Sequence, residues 1–362
     1  MEPREFFIED RLERYRMDAI CNAGESGLSA FNLTETLDHA GLNWSDLDRI
    51  SLADSPNRGS LSLRKEIASL YPGVGPDQVL VTTGTGEALF LAFHLLVKEK
   101  DTVSVLWPAF QALYEIPNAL GASIEPIPVD GPLRKSMWEG IRATLHIINH
   151  PHNPTGQSFA EGELDKTKKK LAQTGSKVLF DEHYRFLPNS GMLGETGVDI
   201  QSGFYGTGSF TKCFGVTGLR IGWLVADEKF IERARSFKDY LTHTVSPISE
   251  TIARGLLANR KNFLPKIQTR VRNNLNLFEN LFQELPNIKT FLKPMGGLVG
   301  WVGIENGISS ETYADKLYEK TGVFVLPGAN FECEGFLRIG FGETEKRFAQ
   351  GLERWLECSS VL

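Results

Sequence analysis

Residues 204–223 read Phe-Tyr-Gly-Thr-Gly-Ser-Phe-Thr-Lys-Cys-Phe-Gly-Val-Thr-Gly-Leu-Arg-Ile-Gly-Trp. The segment opens as an apolar strand over Phe204–Phe210, presents Lys212 in a glycine-rich run, and reaches Arg220 just before a second apolar strand. Apolar neighbours would hold the lysine partly out of water, and desolvation lowers its pKa towards a neutral amine that attacks carbonyl carbon. Ser209 and Arg220 could hold a phosphate beside it. The segment therefore predicts either a Schiff-base lysine next to an anion or a solvated lysine in a turn.

The composition limits the number of domains and the kinds of partner that we expect for this chain. The 362 residues, 41% of them hydrophobic, suffice for two domains or for one large α/β unit with a smaller one. The net charge of −6 gives no electrostatic argument for nucleic acid or an anionic membrane as a partner. The four cysteines lack metal-binding spacing, so we predict no metal site and expect a reduced, cytoplasmic setting. The charged N-terminal residues and the lack of long apolar runs predict neither a signal peptide nor a membrane span.

Strands and helices alternate between about residues 78 and 226. The predicted strands are 78–83, 102–106, 124–129, 145–149, 178–180, 204–210 and 221–226. This alternation predicts βαβ units and a mainly parallel sheet that is covered on both faces. Ligands of such sheets bind at the carboxyl ends of the strands. The residues of chemical interest that follow these strands are Gly84, Thr85, Gly86, Phe110, Asn153, Asp181, Tyr184 and Lys212.

We predict three parts along the chain. Residues 1–45 form an N-terminal arm or lid that joins the small domain, and residues 46–248 form the large ligand-binding domain. Residues 249–362 form a small C-terminal α+β domain, which begins with a long helix.

Each candidate residue has a functional and a structural interpretation. Gly84–Gly86 joins a strand to a helix, so its amides face any bound anion, although such turns also occur for structural reasons. Asn153 could donate to a phenolate oxygen or form an Asx turn, and Asp181 could pair with a protonated pyridine nitrogen or cap a helix. Phe110 could stack on a flat ring or belong to the core. Arg338 could hold a carboxylate by two hydrogen bonds or be a charge on an edge strand.

Seven motifs follow one another in a fixed order: Gly84-Thr-Gly-Glu87, Pro108-Ala-Phe110, His152-Asn-Pro-Thr-Gly156, Asp181-Glu-His-Tyr184, Ser209-Phe-Thr-Lys212, Arg220 and Arg338. Together they resemble the class I and II aminotransferases of pyridoxal 5'-phosphate (PLP) fold type I, over roughly residues 50–345. The resemblance implies a mainly parallel central sheet in a large domain and a smaller α+β domain. It also implies a homodimer with shared active sites and an amino acid as the small-molecule substrate.

The resemblance assigns roles to individual residues. It implies that Lys212 carries PLP as a Schiff base and that Asp181 keeps the pyridine nitrogen protonated, so that the ring acts as an electron sink. It implies that Asn153 and Tyr184 bond the phenolic oxygen and that Phe110 stacks on the ring. The residues implied for the phosphate are Gly84, Thr85, Gly86, Ser209 and Arg220, and Arg338 is implied for the substrate α-carboxylate. In one departure, the segment 53–59 lacks the tyrosine that in many relatives reaches the partner's cofactor phosphate.

Two further runs, near the N-terminus and at residues 238–246, are similar to capreomycidine synthase and its relatives, including the enduracididine-forming hydroxyarginine cyclases of guanidine-toxin biosynthesis. This similarity implies a cyclodehydratase that converts γ-hydroxyarginine to a cyclic guanidino amino acid by elimination and intramolecular guanidine addition. Glu9, Asp10 and Glu25 are then candidates for binding the substrate guanidinium; otherwise they are solvated charges. The alternatives are an aminotransferase, a PLP-dependent arginine oxidase, and a binding protein that retains the fold.

Overall fold

A computed structural model describes residues 2–305 and 307–358. In chain order the strands are β1 (Cys21–Asn22), β2 (Val79–Thr83), β3 (Thr102–Trp107), β4 (Ser123–Pro128), β5 (Leu145–Asn149), β6 (Lys177–Asp181), β7 (Phe204–Gly208), β8 (Ile221–Val225), β9 (Ile288–Leu292), β10 (Val299–Ile304), β11 (Val323–Phe324), β12 (Leu326–Pro327) and β13 (Phe336–Gly340). The α-helices are α1 (Phe7–Tyr15), α2 (Leu33–Ala40), α3 (Trp44–Leu47), α4 (Leu61–Ala68), α5 (Thr85–Leu96), α6 (Ala112–Ala119), α7 (Glu163–Ala172), α8 (Glu228–Lys238), α9 (Pro247–Leu281), α10 (Ser310–Thr321) and α11 (Glu345–Glu357).

The larger sheet has seven strands in the order β2-β8-β7-β6-β5-β3-β4. The ladders β3–β4, β3–β5, β5–β6 and β6–β7 are parallel, which confirms the predicted mainly parallel α/β sheet. Strand β8 is antiparallel to both of its neighbours, β2 and β7. The residue that precedes β8, Arg220, therefore lies at the edge where β2, β6 and β7 end.

The apolar character of these strands follows from burial on both faces. All residues of β5, β7 and β8 are buried, because helices pack on both sides of the sheet. Helix α5 contributes Leu89, Leu91 and Phe93 to one of the resulting core clusters. The edge strand β4 keeps only Ile127 buried, as expected for a strand with one neighbour.

The smaller sheet has four strands in the order β12-β13-β10-β9, and its ladders are antiparallel. Strand β13 lies between β12 and β10, so Arg338 is on an interior strand, and its interpretation as an edge-strand charge is wrong. The sequence pattern did not predict β9, because four of the five residues of this edge strand are exposed or only partly buried and only Ile288 is buried. Helix α9 spans 35 residues and packs against α2, α4 and α11.

The N-terminal residues contact one helix that packs against the seven-stranded sheet and one that packs against the four-stranded sheet. Arg4 pairs with Glu115 of α6 at 2.8 Å, and Arg11 pairs with Asp315 of α10 at 2.5 Å. The two residues of β1 then pair with β11 in parallel. Residues 2–22 thus connect the part of the chain around the seven-stranded sheet to the part around the four-stranded sheet. The division into an N-terminal arm, a large domain and a small domain stays a prediction. None of the described helices combines the length and the apolarity that crossing a membrane requires.

Candidate active site

A cleft lies at the edge where the parallel strands end. The predicted site residues in its lining are Glu9, Gly84, Thr85, Gly86, Phe110, Asn153, Asp181, Ser209, Lys212 and Arg220. These residues come from α1, from the turn before α5 and from the segments after β3, β5, β6 and β7. The shared edge brings them together because parallel strands align their carboxyl ends.

Lys212 lies inside this cleft and not in an open turn. Its Nζ donates a hydrogen bond to Ser26 Oγ at 2.8 Å and lies 5.6 Å from the centre of the Phe110 ring. Burial lowers the pKa of Lys212, and the nearby Glu25 carboxylate opposes this shift. A lysine in this setting has a larger neutral fraction near neutral pH than a solvated one, as a nucleophilic amine requires.

Asp181 forms part of the cleft wall, and its carboxylate is held from several sides. Oδ1 accepts from Thr207 Oγ1 at 3.1 Å, and Oδ2 accepts from Asn149 Nδ2 at 3.1 Å and lies 3.2 Å from His183 Nδ1. The side chain is only 2% exposed. Its partners among the described residues are side chains, so the helix-cap interpretation is not supported. A buried, oriented carboxylate without a strong cationic partner suits a protonated ring nitrogen.

The start of α5 and Arg220 form a cationic cradle. Gly84 has φ +81°, and a Cβ there would lie 2.6 Å from Arg220 Nη2, so the turn admits the guanidinium only because residue 84 is glycine. Ser209 Oγ donates to the Ile221 carbonyl at 2.7 Å next to this cradle. Within residues 2–305 and 307–358 no carboxylate reaches ion-pair distance of Arg220. Helix amides and an uncompensated guanidinium together have the chemistry that binding a phosphate requires.

Arg338 is a buried cation that has no counterion among the described residues. It is 1% exposed, its Nη1 donates to Asn153 Oδ1 at 3.0 Å, and its Nη2 donates to the Gly24 carbonyl at 2.6 Å. Its Nε has no partner, and in the described part of the chain no carboxylate pairs with it. Burial lowers the pKa of Arg338. A buried guanidinium with an unused N–H is expected to bind a carboxylate.

The other predicted residues occupy different positions. Tyr184 is fully buried and donates to the Ser26 carbonyl at 2.7 Å, so its bond to a ring oxygen stays a prediction. Glu9 lines the cleft, whereas Asp10 is exposed and outside the lining, because adjacent helical residues point about 100° apart. The Oε1 of Glu25 accepts from the Ser26 amide at 2.9 Å, and Glu25 lines a neighbouring cavity instead of the cleft.

Ser26 is a site residue that the sequence did not reveal. No sequence motif links Ser26 to Lys212, because 186 residues separate the two along the chain. Glycines at 340 and 342 let the loop approach β13, because a Cβ at either position would overlap the backbone of Glu25 or Gly27. The small residues of the loop are the only feature of the sequence that could have indicated its close approach to Lys212.

Comparison with known proteins identifies the family. A family model for aminotransferase class I and II matches residues 46–354. The chain belongs to the class I and II aminotransferase family. Its relatives in this family are PLP-dependent enzymes that act on amino acids as small-molecule substrates, so PLP is the cofactor and the predicted fold type I is confirmed.

Individual relatives include both a cyclase-type enzyme and aminotransferases. Capreomycidine synthase of Streptomyces vinaceus is 27% identical over 95% of this chain and 91% of its own length. An aspartate aminotransferase of Sulfurisphaera tokodaii is 26% identical over 83% of this chain and 79% of its own. Among solved structures, the PLP-dependent cyclase OrfR has a TM-score of 0.91 at 25% identity, covering 99% of this chain and 98% of its own. A PLP-dependent aminotransferase from Streptococcus suis has a TM-score of 0.90 at 26% identity, with the same coverage.

The residues of the cleft fit PLP. The glycine at position 84 leaves room for the Arg220 guanidinium beside the amides of α5, which suits the phosphate. The buried Asp181 suits the ring nitrogen, and the half-buried Lys212 suits the aldehyde.

Proposed function

We propose that this chain is a PLP-dependent cyclodehydratase that converts γ-hydroxy-L-arginine to a cyclic guanidino amino acid of the enduracididine type. One observation carries the proposal. The similarity to capreomycidine synthase covers 95% of the chain and so includes part of residues 1–45, which precede the family match. That segment supplies Glu9 to the cleft and Ser26 to Lys212. A cytoplasmic homodimer that shares its active sites belongs to the same proposal.

The proposed reaction is a net exchange of a C–O bond for a C–N bond. Protons leave Cα and Cβ, hydroxide leaves Cγ, and a guanidine nitrogen bonds to Cγ and loses its own proton. Protons then return to Cα and Cβ, and the remaining proton joins hydroxide. The products are a five-membered ring and one water, so neither an oxidant nor a keto acid is required.

Different residues of the cleft have different roles in the proposed reaction. When bound, PLP supplies an electron sink that stabilises negative charge at Cα. Asp181 keeps a proton on the ring nitrogen, since a buried carboxylate favours a neighbouring cation. Lys212 holds the cofactor and, once released, takes the Cα proton; its lowered pKa favours the neutral amine that this step needs. Arg338 holds the substrate carboxylate and so orients Cα.

We assign the substrate guanidinium to Glu9. Its side chain lines the cleft that also contains Lys212, and its negative charge opposes the effect of burial, which lowers the pKa of both Lys212 and Arg338. A carboxylate can bind a guanidinium by two parallel hydrogen bonds. Asp10 receives no role in this proposal because it does not line the cleft.

The family match itself favours a second candidate, an aminotransferase that uses the same cofactor residues. An aminotransferase needs a keto acid to complete its cycle, and the cyclase does not. The test incubates holoenzyme with γ-hydroxy-L-arginine and no keto acid, and analyses products by mass spectrometry. Repeated turnover to a product lighter by one water supports the cyclase, whereas stoichiometric pyridoxamine phosphate without ring product overturns it. Oxygen consumption with arginine would instead indicate an oxidase.

A matched variant tests the substrate class. Glu9→Gln keeps the shape of the side chain and removes the charge, and we expect the kcat/KM for γ-hydroxyarginine to fall about tenfold or more. Glu13→Gln, one turn further along the same helix and outside the cleft lining, is the control and should leave kcat/KM unchanged. Equal effects of the two substitutions would remove Glu9 from the proposal.

A further inference from the structure

Residues 4–9, which we call the strap, are attached to helix α6 through Arg4. The backbone amide of Arg4 donates to Glu115 Oε1 at 3.0 Å, and its Nε donates to Oε2 at 2.9 Å. The same guanidinium donates from Nη1 to Glu332 Oε1 at 2.6 Å. Glu115 is 4% exposed, and among the described residues its carboxylate has no hydrogen-bond or ion-pair partner other than Arg4. A buried carboxylate requires such a partner, so Glu115 holds the strap.

Gln111, which directly follows Phe110 in the chain, makes the second attachment. Its Oε1 accepts from the Phe7 amide at 3.0 Å, and its Nε2 donates to the Glu5 carbonyl at 2.6 Å. The residue is 2% exposed, and its side chain makes no other hydrogen bond within the described part of the chain. Arg4 and Gln111 thus form a latch between the strap and the start of α6.

The rest of α1 is anchored in the part of the chain around the four-stranded sheet. Ile8 and Leu12 are buried in an apolar cluster together with Trp301 of β10 and Leu326 of β12. Because one end of the segment packs there and the other is latched to α6, residues 4–9 span the distance between these two anchors. The position of the strap therefore depends on the latch as well as on the apolar cluster.

Two side chains of the strap form part of the cleft wall. Phe6 and Glu9 both line the cleft, and residues three apart lie on the same side of a helix. The centre of the Phe6 ring lies 5.3 Å from that of Phe110. In the proposed reaction Arg338 holds the substrate carboxylate and Glu9 holds the guanidinium, so the carbon chain between these two groups runs beside Phe6.

The proposed cyclisation has a competitor in water. Loss of hydroxide from Cγ leaves an unsaturated carbon, which either the guanidine nitrogen or a water molecule can attack. Attack by water returns a hydroxyl to Cγ and protons to the carbons that lost them, so it regenerates γ-hydroxyarginine and only reverses the elimination. Ring formation is therefore favoured where apolar surface instead of water surrounds Cγ.

We infer that Arg4 and Gln111 are positioning residues that hold Phe6 against the substrate chain, so that the guanidine and not water attacks Cγ. The purpose of this arrangement rests on the proposed function. Phe6 offers no hydrogen-bonding group to a water molecule, and the latch keeps its ring beside Phe110. Release of the latch frees the strap and admits water to the cleft.

The experiment measures how often water attacks relative to the guanidine. Holoenzyme converts γ-hydroxy-L-arginine in H₂¹⁸O, and mass spectrometry gives the ratio of ¹⁸O-labelled substrate to ring product. Exchange of the Cα proton of L-arginine with D₂O is measured separately. Arginine has no hydroxyl to lose, so this exchange reports proton transfer at Lys212 without the later steps.

Four variants and one control are compared with the wild type. Arg4→Met and Gln111→Met keep the length of the side chain and remove the latch, whereas Phe6→Ser removes the apolar ring and Phe6→Leu retains apolar bulk. Arg16→Gln is the control, because Arg16 follows the same helix and pairs with the exposed Glu13 instead of α6. It removes an arginine and an ion pair without touching the strap.

The inference predicts a split between the two measurements. In Phe6→Ser, Arg4→Met and Gln111→Met the ratio of labelled substrate to ring product should rise about tenfold or more, while Cα exchange stays within about threefold. Phe6→Leu and Arg16→Gln should keep the ratio near that of the wild type. An unchanged ratio in Phe6→Ser, or the same rise in Phe6→Leu, refutes the role of Phe6. Loss of Cα exchange in parallel with ring formation would show a merely structural effect and would also refute it.

A separate measurement does not depend on turnover. Hydrogen–deuterium exchange of residues 2–9 is followed by mass spectrometry in holoenzyme without substrate, and unchanged exchange in β5, β6 and β7 shows that the fold is intact. Arg4→Met and Gln111→Met should speed exchange of the Phe7 amide, since Gln111 Oε1 is its acceptor, and Arg16→Gln should not. Exchange at the wild-type rate in both variants refutes the latch. If the wild type forms no ring yet both variants exchange faster, the proposed function fails and the latch remains.

Discussion

Replacing Arg338 by lysine separates charge from shape in the substrate site. Arg338 uses Nη1 for Asn153 and Nη2 for the Gly24 carbonyl, and its Nε–H has no partner. We propose that the substrate carboxylate bonds the N–H groups left over, with two parallel hydrogen bonds. Lysine keeps the positive charge but offers a single point of contact, so one of the two bonds is lost.

The magnitude follows from the kind of bond that is lost. A hydrogen bond to a charged group contributes about 1.5–3 kcal/mol, and each 1.36 kcal/mol is a factor of ten, so kcat/KM should fall about 10- to 150-fold. A lysine at position 338 would also leave either Asn153 Oδ1 or the Gly24 carbonyl without the hydrogen-bond donor that Arg338 now supplies. That loss makes the lower end of the range a minimum.

The assay measures kcat/KM for γ-hydroxy-L-arginine and for its decarboxylated analogue, together with PLP occupancy from the visible spectrum. The wild type should prefer the amino acid by more than this factor, because the analogue makes neither bond, and Arg338→Lys should lower that preference about 10- to 150-fold while it retains PLP. Arg347→Lys serves as the control, because Arg347 bonds the Ala19 and Ile20 carbonyls away from the cleft. A variant within threefold of the wild type, or one that keeps the preference, would refute the assignment of Arg338.

Three further predictions concern the cofactor residues. Gly84→Ala should weaken PLP binding by about tenfold or more in an equilibrium titration, because φ is +81° and the new Cβ would displace the Arg220 guanidinium, whereas Gly131→Ala, with open space around it, should bind normally. Asp181→Asn should still bind PLP but lose about 100-fold in kcat, since the ring nitrogen loses its anionic partner; a kcat near wild type would oppose the assignment. Burial lowers the pKa of Lys212, so the freed amine stays neutral at lower pH, and the acid limb of the kcat profile should have its midpoint below the ordinary lysine range. A limb at the ordinary lysine pKa would show that the amine is solvated during turnover.

Much of the larger sheet could be read from the sequence. Strands such as β5 and β7 are buried on both faces and therefore appear as continuous apolar runs, and the polar residue after each strand lies at the ligand edge. This rule placed Asn153, Asp181 and Lys212 in one cleft. The family resemblance rested on the same residues, and the family match over residues 46–354 confirmed it.

The rule about strand ends did not account for every residue of the cleft. Arg220 precedes its strand, and it reaches the same edge only because β8 runs antiparallel to β2 and β7. The sequence also left open whether Arg338 was on an edge, since strand order in the smaller sheet is set by pairings between distant segments. Such pairings depend on which surfaces pack, and a local pattern does not specify them.

The glycine-rich stretch around Lys212 predicted either a reactive lysine beside a phosphate or a solvated lysine in a turn, and the residues after the other strands favoured the first, because strand polarity and residue chemistry are local properties. The neighbours of that lysine were decided by tertiary structure alone. The loop at residues 24–28 reaches Lys212 because glycines 340 and 342 let it pass close to β13, and this places the Ser26 hydroxyl on the amine. It also turns Glu25 towards a second cavity instead of the substrate cleft, which a linear pattern of charges cannot indicate. The residue chemistry of the lysine was thus visible in the sequence, and the packing of a distant loop determined which hydroxyl contacts its amine.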